Sequence, residues 1–252
     1  MMNDEKFIAF LRGANQTFQG WDFSWITGTG RMSSELLSWS YGSMAIPLIQ
    51  KSKALLDMGT GGGELLSKLR PFPRTVVATE GYSPNLPIAR ERLEPLGVKV
   101  VEVDNDECLP FLDAQFDLIL NKHESFVPHE VRRIISDRGV FLTQQVGGLD
   151  CMQINEAFGV SLEQSAKEWN LEKTIQQLES NRFQVVEAKE EFPVQRFYDV
   201  GAFAYYLRAI PWQVPGLNME EQIEVFYRIH QMIETKGFFD CEQHRFVILA
   251  KA

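Results

Sequence analysis

Through the middle of the chain, short β-branched runs alternate with segments of helical period. Ala54-Leu55-Leu56-Asp57-Met58 is an apolar run that stops at a glycine cluster, the pattern of a buried strand. Thr75 to Glu80 predicts a second strand, Val98 to Val103 a third and Phe116 to Leu120 a fourth. Between the second and third, Ser83-Pro84 fits an N-cap with proline at the first helical position. Leu86, Ala89, Leu93 and Leu96 follow at 3–4 spacing, up to a stop at Gly97. Val131, Ile134 and Ile135 share one helix face before a fifth strand over 139–146. A helix over about 161–181, a sixth strand over 183–188 and a seventh over 245–250 complete the pattern. Strands alternating with helices predict a parallel sheet covered on both faces, with ligands beyond the carboxyl ends of the strands.

The two ends break this pattern. Of the 29 aromatic residues, 18 lie in residues 1–50 and 193–243. The predicted organisation is an N-terminal helical cap over 1–50, a core over 51–192, a helical insertion or lid over 193–243, and a last core strand within 244–252. Charge narrows the partners. With 34 acidic and 25 basic residues the formal charge is −9, which disfavours a nucleic acid, whose affinity comes mostly from Lys and Arg on phosphates. No apolar run approaches the ~18 residues of a membrane span. The acidic start, Met1-Met2-Asn3-Asp4-Glu5-Lys6, leads into no signal-peptide stretch. Cys108, Cys151 and Cys241 are odd in number and far apart, without CxxC or Cys/His zinc spacing. They read as reduced thiols of a cytoplasmic protein, and no metal site is predicted.

The sharpest feature is Asp57-Met58-Gly59-Thr60-Gly61-Gly62-Gly63-Glu64. Glycines permit positive φ and close backbone approach, so this turn between a strand and a predicted helix reads as a cofactor cradle. A dinucleotide fingerprint, GxGxxG, is missing its third glycine at Glu64. Asp57 at the strand end would repel a pyrophosphate and suits a cationic amino-acid moiety. Glu80 closes the second strand, where a carboxylate accepts both ribose hydroxyls. Together they favour a nucleoside carrying positive charge.

At these residues the sequence resembles the class I S-adenosylmethionine (SAM) dependent methyltransferases. Asp57, Gly59, Thr60, Gly61 and Gly63 match their first motif, and Glu80-Gly81-Tyr82 resembles their second. The stretch from Asn105-Asp106 through Leu109-Pro110-Phe111 to Phe116-Asp117 is similar to a third, with the adenine contact falling to Asp104, Asn105 or Asp106. Asn121-Lys122-His123-Glu124 stands at the fourth-motif position, and Asn121 is counted with the cofactor. The resemblance covers residues 52–147. It implies a Rossmann-like doubly wound sheet of seven strands, mostly parallel with the last antiparallel, and SAM as cofactor with S-adenosylhomocysteine as product.

The acceptor is less legible. The fourth-motif position lacks the Asp/Asn-Pro-Pro-Tyr loop of amino-methylating enzymes, which disfavours flipped-adenine chemistry. The flanks are acidic and aromatic, which suits a small molecule. Trp25, Trp39, Tyr41, Tyr198, Tyr205, Tyr206 and Trp212 are candidates to line its chamber, or packing for the caps. Arg31 is a candidate for a substrate carboxylate, or a solvated loop charge. His123 is a candidate general base and Glu124 its orienter or an amine ligand, since methyl transfer sometimes requires removal of a proton. His129 and His230 read as helix-surface residues. A tRNA or rRNA methyltransferase and a non-catalytic SAM-binding partner are the alternative readings.

Overall fold

The structure, a computed structural model, describes residues 4–18 and 21–252. The first three residues of the N-terminal reading above lie outside it. In chain order the elements are α1 (Glu5–Gly13), α2 (Ser24–Thr27), β1 (Met32–Ser34), α3 (Tyr41–Ile49), β2 (Ala54–Met58), β3 (Thr75–Glu80), α4 (Leu86–Leu93), β4 (Lys99–Glu102) and β5 (Phe116–Lys122). There follow α5 (Pro128–Ile134), β6 (Ile135–Val146), α6 (Met152–Phe158), α7 (Gln164–Lys167), α8 (Leu171–Ser180) and β7 (Gln184–Glu191). β8 (Val194–Phe197), α9 (Val200–Ala209), α10 (Ile223–Lys236), β9 (Phe239–Glu242) and β10 (Arg245–Lys251) close the chain.

Seven strands form one sheet in the order β4-β3-β2-β5-β6-β10-β7. β2 pairs parallel with β3 and β5, and β5 parallel with β6. β10 runs antiparallel to both its neighbours. This is the doubly wound, Rossmann-like arrangement. Side-chain alternation splits its core in two. Leu55, Leu118, Leu120, Leu142 and Val247 face a cluster with α3 and α4. Leu56, Ile119, Phe141, Phe246 and Ile248 face one with α5 and α8. Strands buried on both faces explain the near-continuous apolar runs of β2 and β5.

The flanks build a second core. Phe7, Ile26, Phe197, Phe203, Phe226 and Phe239 cluster with Cys151 and Ile154 of α6. The pattern predicts helices only here, yet the structure also builds a three-stranded antiparallel sheet, β1-β8-β9. The signal lies in Val194–Phe197 and Phe239–Glu242, where buried residues alternate with more exposed ones. Packing also divides the chain differently from the sequence boundaries: α3, within residues 1–50, packs on the large sheet, and α6, within 51–192, packs in the cap. His230 is buried at 2 % exposure between Phe7, Phe10 and Tyr227, not on the helix surface. Among the described residues no helix is long and apolar enough to cross a membrane.

Candidate active site

The glycine loop stands at the carboxyl end of β2. Gly59, Gly61 and Gly63 all take positive φ, at +65°, +62° and +78°. The Gly59 N–H donates to Thr79 Oγ1 at 3.2 Å and the Thr60 N–H to the Thr79 carbonyl at 2.8 Å, pinning the loop to β3. Arg92 of α4 clamps the outer side through the Gly62 carbonyl and Glu64. The predicted helix after the loop is reduced to a single 3-10 turn, Leu66–Lys68. Three glycines in the left-handed region delay its start, and Pro71 and Pro73 leave it no room to extend.

Two side chains lie over the loop. A Cβ at Gly59 would collide with Glu124, and one at Gly61 would meet the Trp21 ring at 2.6 Å. Trp21 meets Trp212 edge-on, with ring centroids 5.7 Å apart. So the cap reaches the cradle through Trp21, a residue outside the sequence-derived site, because a lone loop aromatic carries no spacing signal.

Asp57, Glu80, Asp106 and Glu124 surround the loop, and none of the ion pairs among the described residues includes them. Burial pushes the Asp57 carboxyl up to about 7, against the Thr60 hydroxyl and the Lys122 ammonium, which favour its charge. Burial, then Asp106 and Glu80, push Glu124 up to about 7. Glu80 is also raised by burial, while the Tyr82 N–H, 2.7 Å from its Oε1, opposes the shift. The Thr60 hydroxyl is buried and makes no full hydrogen bond, although it lies beside Asp57. A cradle of glycines, an unsatisfied hydroxyl and four carboxylates outside any ion pair fit a ligand with a sulfonium, an ammonium and ribose hydroxyls. A pyrophosphate does not fit it.

The remaining predicted cofactor residues are placed as follows. Tyr82 stands exposed beside Glu80. Gly81 has room for no Cβ, because the Val103 carbonyl would lie 2.6 Å away. Asp104 and Asn105 are exposed in the loop after β4, and Asp106 accepts from the Ser125 hydroxyl. That loop is fastened by Arg133, which donates to the carbonyls of Leu109 and Phe111 at 3.1 and 2.8 Å. The Asn121 side chain is fully buried. Its Oδ1 accepts from Thr143 and Gln145 at 2.8 and 2.6 Å, so it braces β5 against β6 and has no acceptor left for a cofactor.

His123 takes φ +61° just past β5. Its surface is solvent-accessible, while the protein packed around it desolvates the ring. This desolvation, then Lys122 and Arg245, hold its pKa well below the usual imidazole value. Its partner fixes its tautomer. The Trp39 indole N–H, a donor only, gives its hydrogen bond to Gln144 Oε1 at 2.8 Å. Gln144 therefore presents its NH2 to His123 Nε2, 2.9 Å away. Nε2 is the acceptor, and the neutral ring carries its proton on Nδ1. The lone pair that a general base needs is already engaged.

The substrate candidates scatter. Arg31 is not free for a carboxylate: it forms a two-pronged pair with Asp199 at 2.7 and 2.6 Å and lies over Trp25. Trp39 is buried on Gln144, and Tyr41 is buried near Asp57 with its hydroxyl toward the Leu142 carbonyl. Trp25 packs on Tyr205, and Tyr206 on Phe197 and Phe23, inside the cap. Tyr198 is exposed beside Ser33. Trp212 is the one that ring contacts bring to the glycine loop, through Trp21. A separate concavity of about 750 Å³ opens near the starts of β3 and β4, lined by Arg74, Lys99, Val101 and Phe111. It lies at the opposite end of these strands from the glycine loop and holds neither a cradle nor a carboxylate. Among the described residues no group of three or more His, Cys, Asp or Glu could hold a metal ion.

Comparison with known proteins agrees with this geometry. Residues 56–142 match a family model described as a methyltransferase domain. Over these residues the chain is similar to methyltransferase domains, and its seven-stranded sheet has the fold of the SAM-dependent methyltransferases it resembles. The YcgJ protein from Bacillus subtilis has the same fold, with a TM-score of 0.57 at 16% identity over 84% of this chain and 97% of that one. A SAM-dependent methyltransferase from Thiobacillus denitrificans, in complex with S-adenosyl-L-homocysteine, gives 0.51 at 14% identity over 91% and 97%. The [4+2]-cyclase SpnF gives 0.51 at 12% identity over 98% and 92%, so this fold also hosts other chemistry. No curated protein matches the chain significantly.

Proposed function

We propose that the protein transfers a methyl group from SAM to a small-molecule acceptor, held between the ends of β5 and β6 and the aromatic wall of the cap. The observation that carries this reading is Trp21, which lies on Gly61 and meets Trp212. Large rings from the cap thus line the way to the cradle, which suits a compact acceptor better than a polymer. The unpaired carboxylates around the loop also disfavour a polyanion.

In this reading Asp57 takes the cofactor's ammonium and Glu80 its ribose hydroxyls. Gly59 to Gly63 supply backbone contact, and Tyr82 with Asp104, Asn105 or Asp106 frame the adenine. SAM, when bound, would supply an electrophilic methyl on its sulfonium to the acceptor's lone pair, leaving as the neutral thioether. The chain aligns the two partners, which alone lowers the barrier substantially. Where the acceptor carries a proton, Glu124 receives it. Its carboxyl titrates at about 7, near working pH, whereas His123 has its lone pair engaged by Gln144. His123 then positions the loop that carries Glu124.

The test offers methyl-labelled SAM with pools of small acids, amines and phenols, and separately with total RNA. Label in low-mass products is the expected result. Label in RNA alone overturns the reading.

A further inference from the structure

Lys122 ends β5 and faces the α3 side of the sheet. Alternation fixes this, because Leu55, Leu120, Leu142 and Val247 face that side and Asp57, Lys122, Gln144 and Arg245 stand two positions from them. Their strands are neighbours in the order β2, β5, β6, β10. A carboxyl, an ammonium, an amide and a guanidinium therefore run in a staggered row on one face of the edge where the ligand sits, Lys122 level with Gln144, and Asp57 and Arg245 each one same-face step off that level. Lys122 is half-buried, and among the described residues its ammonium makes no hydrogen bond or ion pair. Arg245 is 9 % exposed. One of its terminal nitrogens serves Asp150 and the His244 carbonyl, and its other two nitrogens have no partner among the described residues. The two cations lie close enough to oppose each other's charge. Asp150 neutralises one of them. Asp57, near half protonation at neutral pH, covers part of the other.

A half-buried ammonium next to a second cation, with no hydrogen-bond partner among the described residues and open to solvent, is placed to receive an anion that would offset the repulsion. We infer that Lys122, backed by Arg245, is the receptor for an organic carboxylate within the site. The inference rests on the methyl-transfer reading above. Two carboxylates have the right chemistry, the amino-acid end of the cofactor and one on the acceptor. The row favours the acceptor: Arg245 lies three strands from the glycine loop, roughly 14 Å at the ordinary strand spacing. With Trp21 and Trp212 nearby, the acceptor class is a small organic acid with an aromatic or apolar body.

The experiment compares wild type with Lys122→Met, which keeps the stem and loses the charge, and Lys122→Arg, which keeps the charge. Each is saturated with S-adenosylhomocysteine and titrated with phenylacetate and with phenylacetamide. Wild type should prefer the acid by roughly 10–100-fold, the worth of one charge-assisted hydrogen bond. The Met variant should lose the preference and the Arg variant should keep most of it. A second arm titrates S-adenosylhomocysteine and 5′-methylthioadenosine, which lacks the amino-acid end, into the ligand-free proteins. Weaker S-adenosylhomocysteine binding by Lys122→Met alone, with methylthioadenosine unchanged, supports the receptor and assigns its carboxylate to the cofactor. No preference for the acid and no change in either nucleoside overturns the receptor. Wild type that fails to bind S-adenosylhomocysteine overturns the methyl-transfer reading instead. Thermal melting separates a structural lysine: removing a half-buried charge without a partner should leave Tm unchanged or raised, and a lowered Tm with unchanged binding also overturns the receptor.

Discussion

The cap and the carboxyl edge of the large sheet handle charge in opposite ways. In the cap, charges find partners: Arg31 with Asp199, Arg196 with Asp240 at 2.7 Å, Lys6 with Glu234 at 2.7 Å, and His230 near Asp4. At the sheet edge Asp57, Glu80, Asp106, Glu124 and Lys122 make no ion pair among the described residues. Hydrophobic content does not separate the two regions, since both bury large rings. The difference is that the cap's buried and half-buried charges Arg31, Asp199, Arg196 and Asp240 are paired within the chain, while the edge leaves its own open for a ligand. Residues of the first kind should carry stability, and those of the second should carry affinity at some cost in stability.

Arg31→Met is the strongest way to break this comparison. It leaves Asp199, whose side chain is 8 % exposed, without its cation. Removing one member of a buried pair costs ~3–5 kcal/mol, and with Arg31 partly exposed the lower end is expected. Urea unfolding should show that loss, while S-adenosylhomocysteine affinity per folded molecule stays within about 2-fold. Lost affinity with intact stability would return Arg31 to the ligand.

Glu80→Ala should do the reverse. Two ribose hydroxyls lose their acceptor, a loss of roughly 1.5–3 kcal/mol in S-adenosylhomocysteine binding by calorimetry. Stability should not fall, because a buried carboxylate with a raised pKa is removed. A destabilised variant with normal affinity would make Glu80 a structural brace.

The sequence made the sheet edge far more legible than the cap. Asp57, the glycine triplet and Glu80 are contiguous with their strands, and a strand–turn–strand unit reports its own geometry. The seven strands followed from the alternation of strand and helix patterns, and their doubly wound arrangement with the last strand antiparallel from the resemblance. The cap is assembled from segments more than 150 residues apart, as the Met32↔Phe197 register shows. No local pattern announces such pairing, so its small sheet and the capture of Arg31 stayed hidden. The same holds within the site. Gln144 and Arg245 act through neighbours on other strands, and their importance appears only when β5, β6 and β10 lie side by side.

Acidity sharpens the comparison with a smaller effect. Asp57 and Glu124 titrate at about 7 in the folded chain, against ~4 for ordinary carboxyls. Between about pH 4 and 7 the folded state therefore binds more protons than the unfolded one. Their contribution to stability is full below about pH 4 and is lost as pH rises through 7. The ammonium of S-adenosylhomocysteine, which lacks the sulfonium, favours the ionised form of Asp57, so its affinity should rise several-fold from pH 6 to 8 as that group ionises. Calorimetry in buffers of different ionisation enthalpy should detect proton release on binding. Proton uptake would place Asp57 away from the ligand's ammonium.

The smallest expected effect concerns His123. Its tautomer depends on Trp39, whose N–H holds Gln144 Oε1 and so turns the amide NH2 toward the ring. Trp39→Phe keeps an aromatic body at this buried position and removes the donor. The orphaned carbonyl of Gln144 then costs about 1–3 kcal/mol where it stands. Rotating the amide directs Oε1 at His123 Nε2, which must then carry the proton, but leaves the NH2 unpaired against the Phe ring, so without the indole neither orientation is selected. In the rotated form Nδ1 becomes the acceptor, and the lone pair moves from a blocked nitrogen to an unblocked one. Nitrogen NMR of labelled histidine should show the Nδ1–H form in wild type and both tautomers in the variant. Turnover, once an acceptor is known, should change little if Glu124 takes the proton. A variant that gains activity together with the new tautomer would transfer the base role to His123, with Gln144 as the residue that holds it silent.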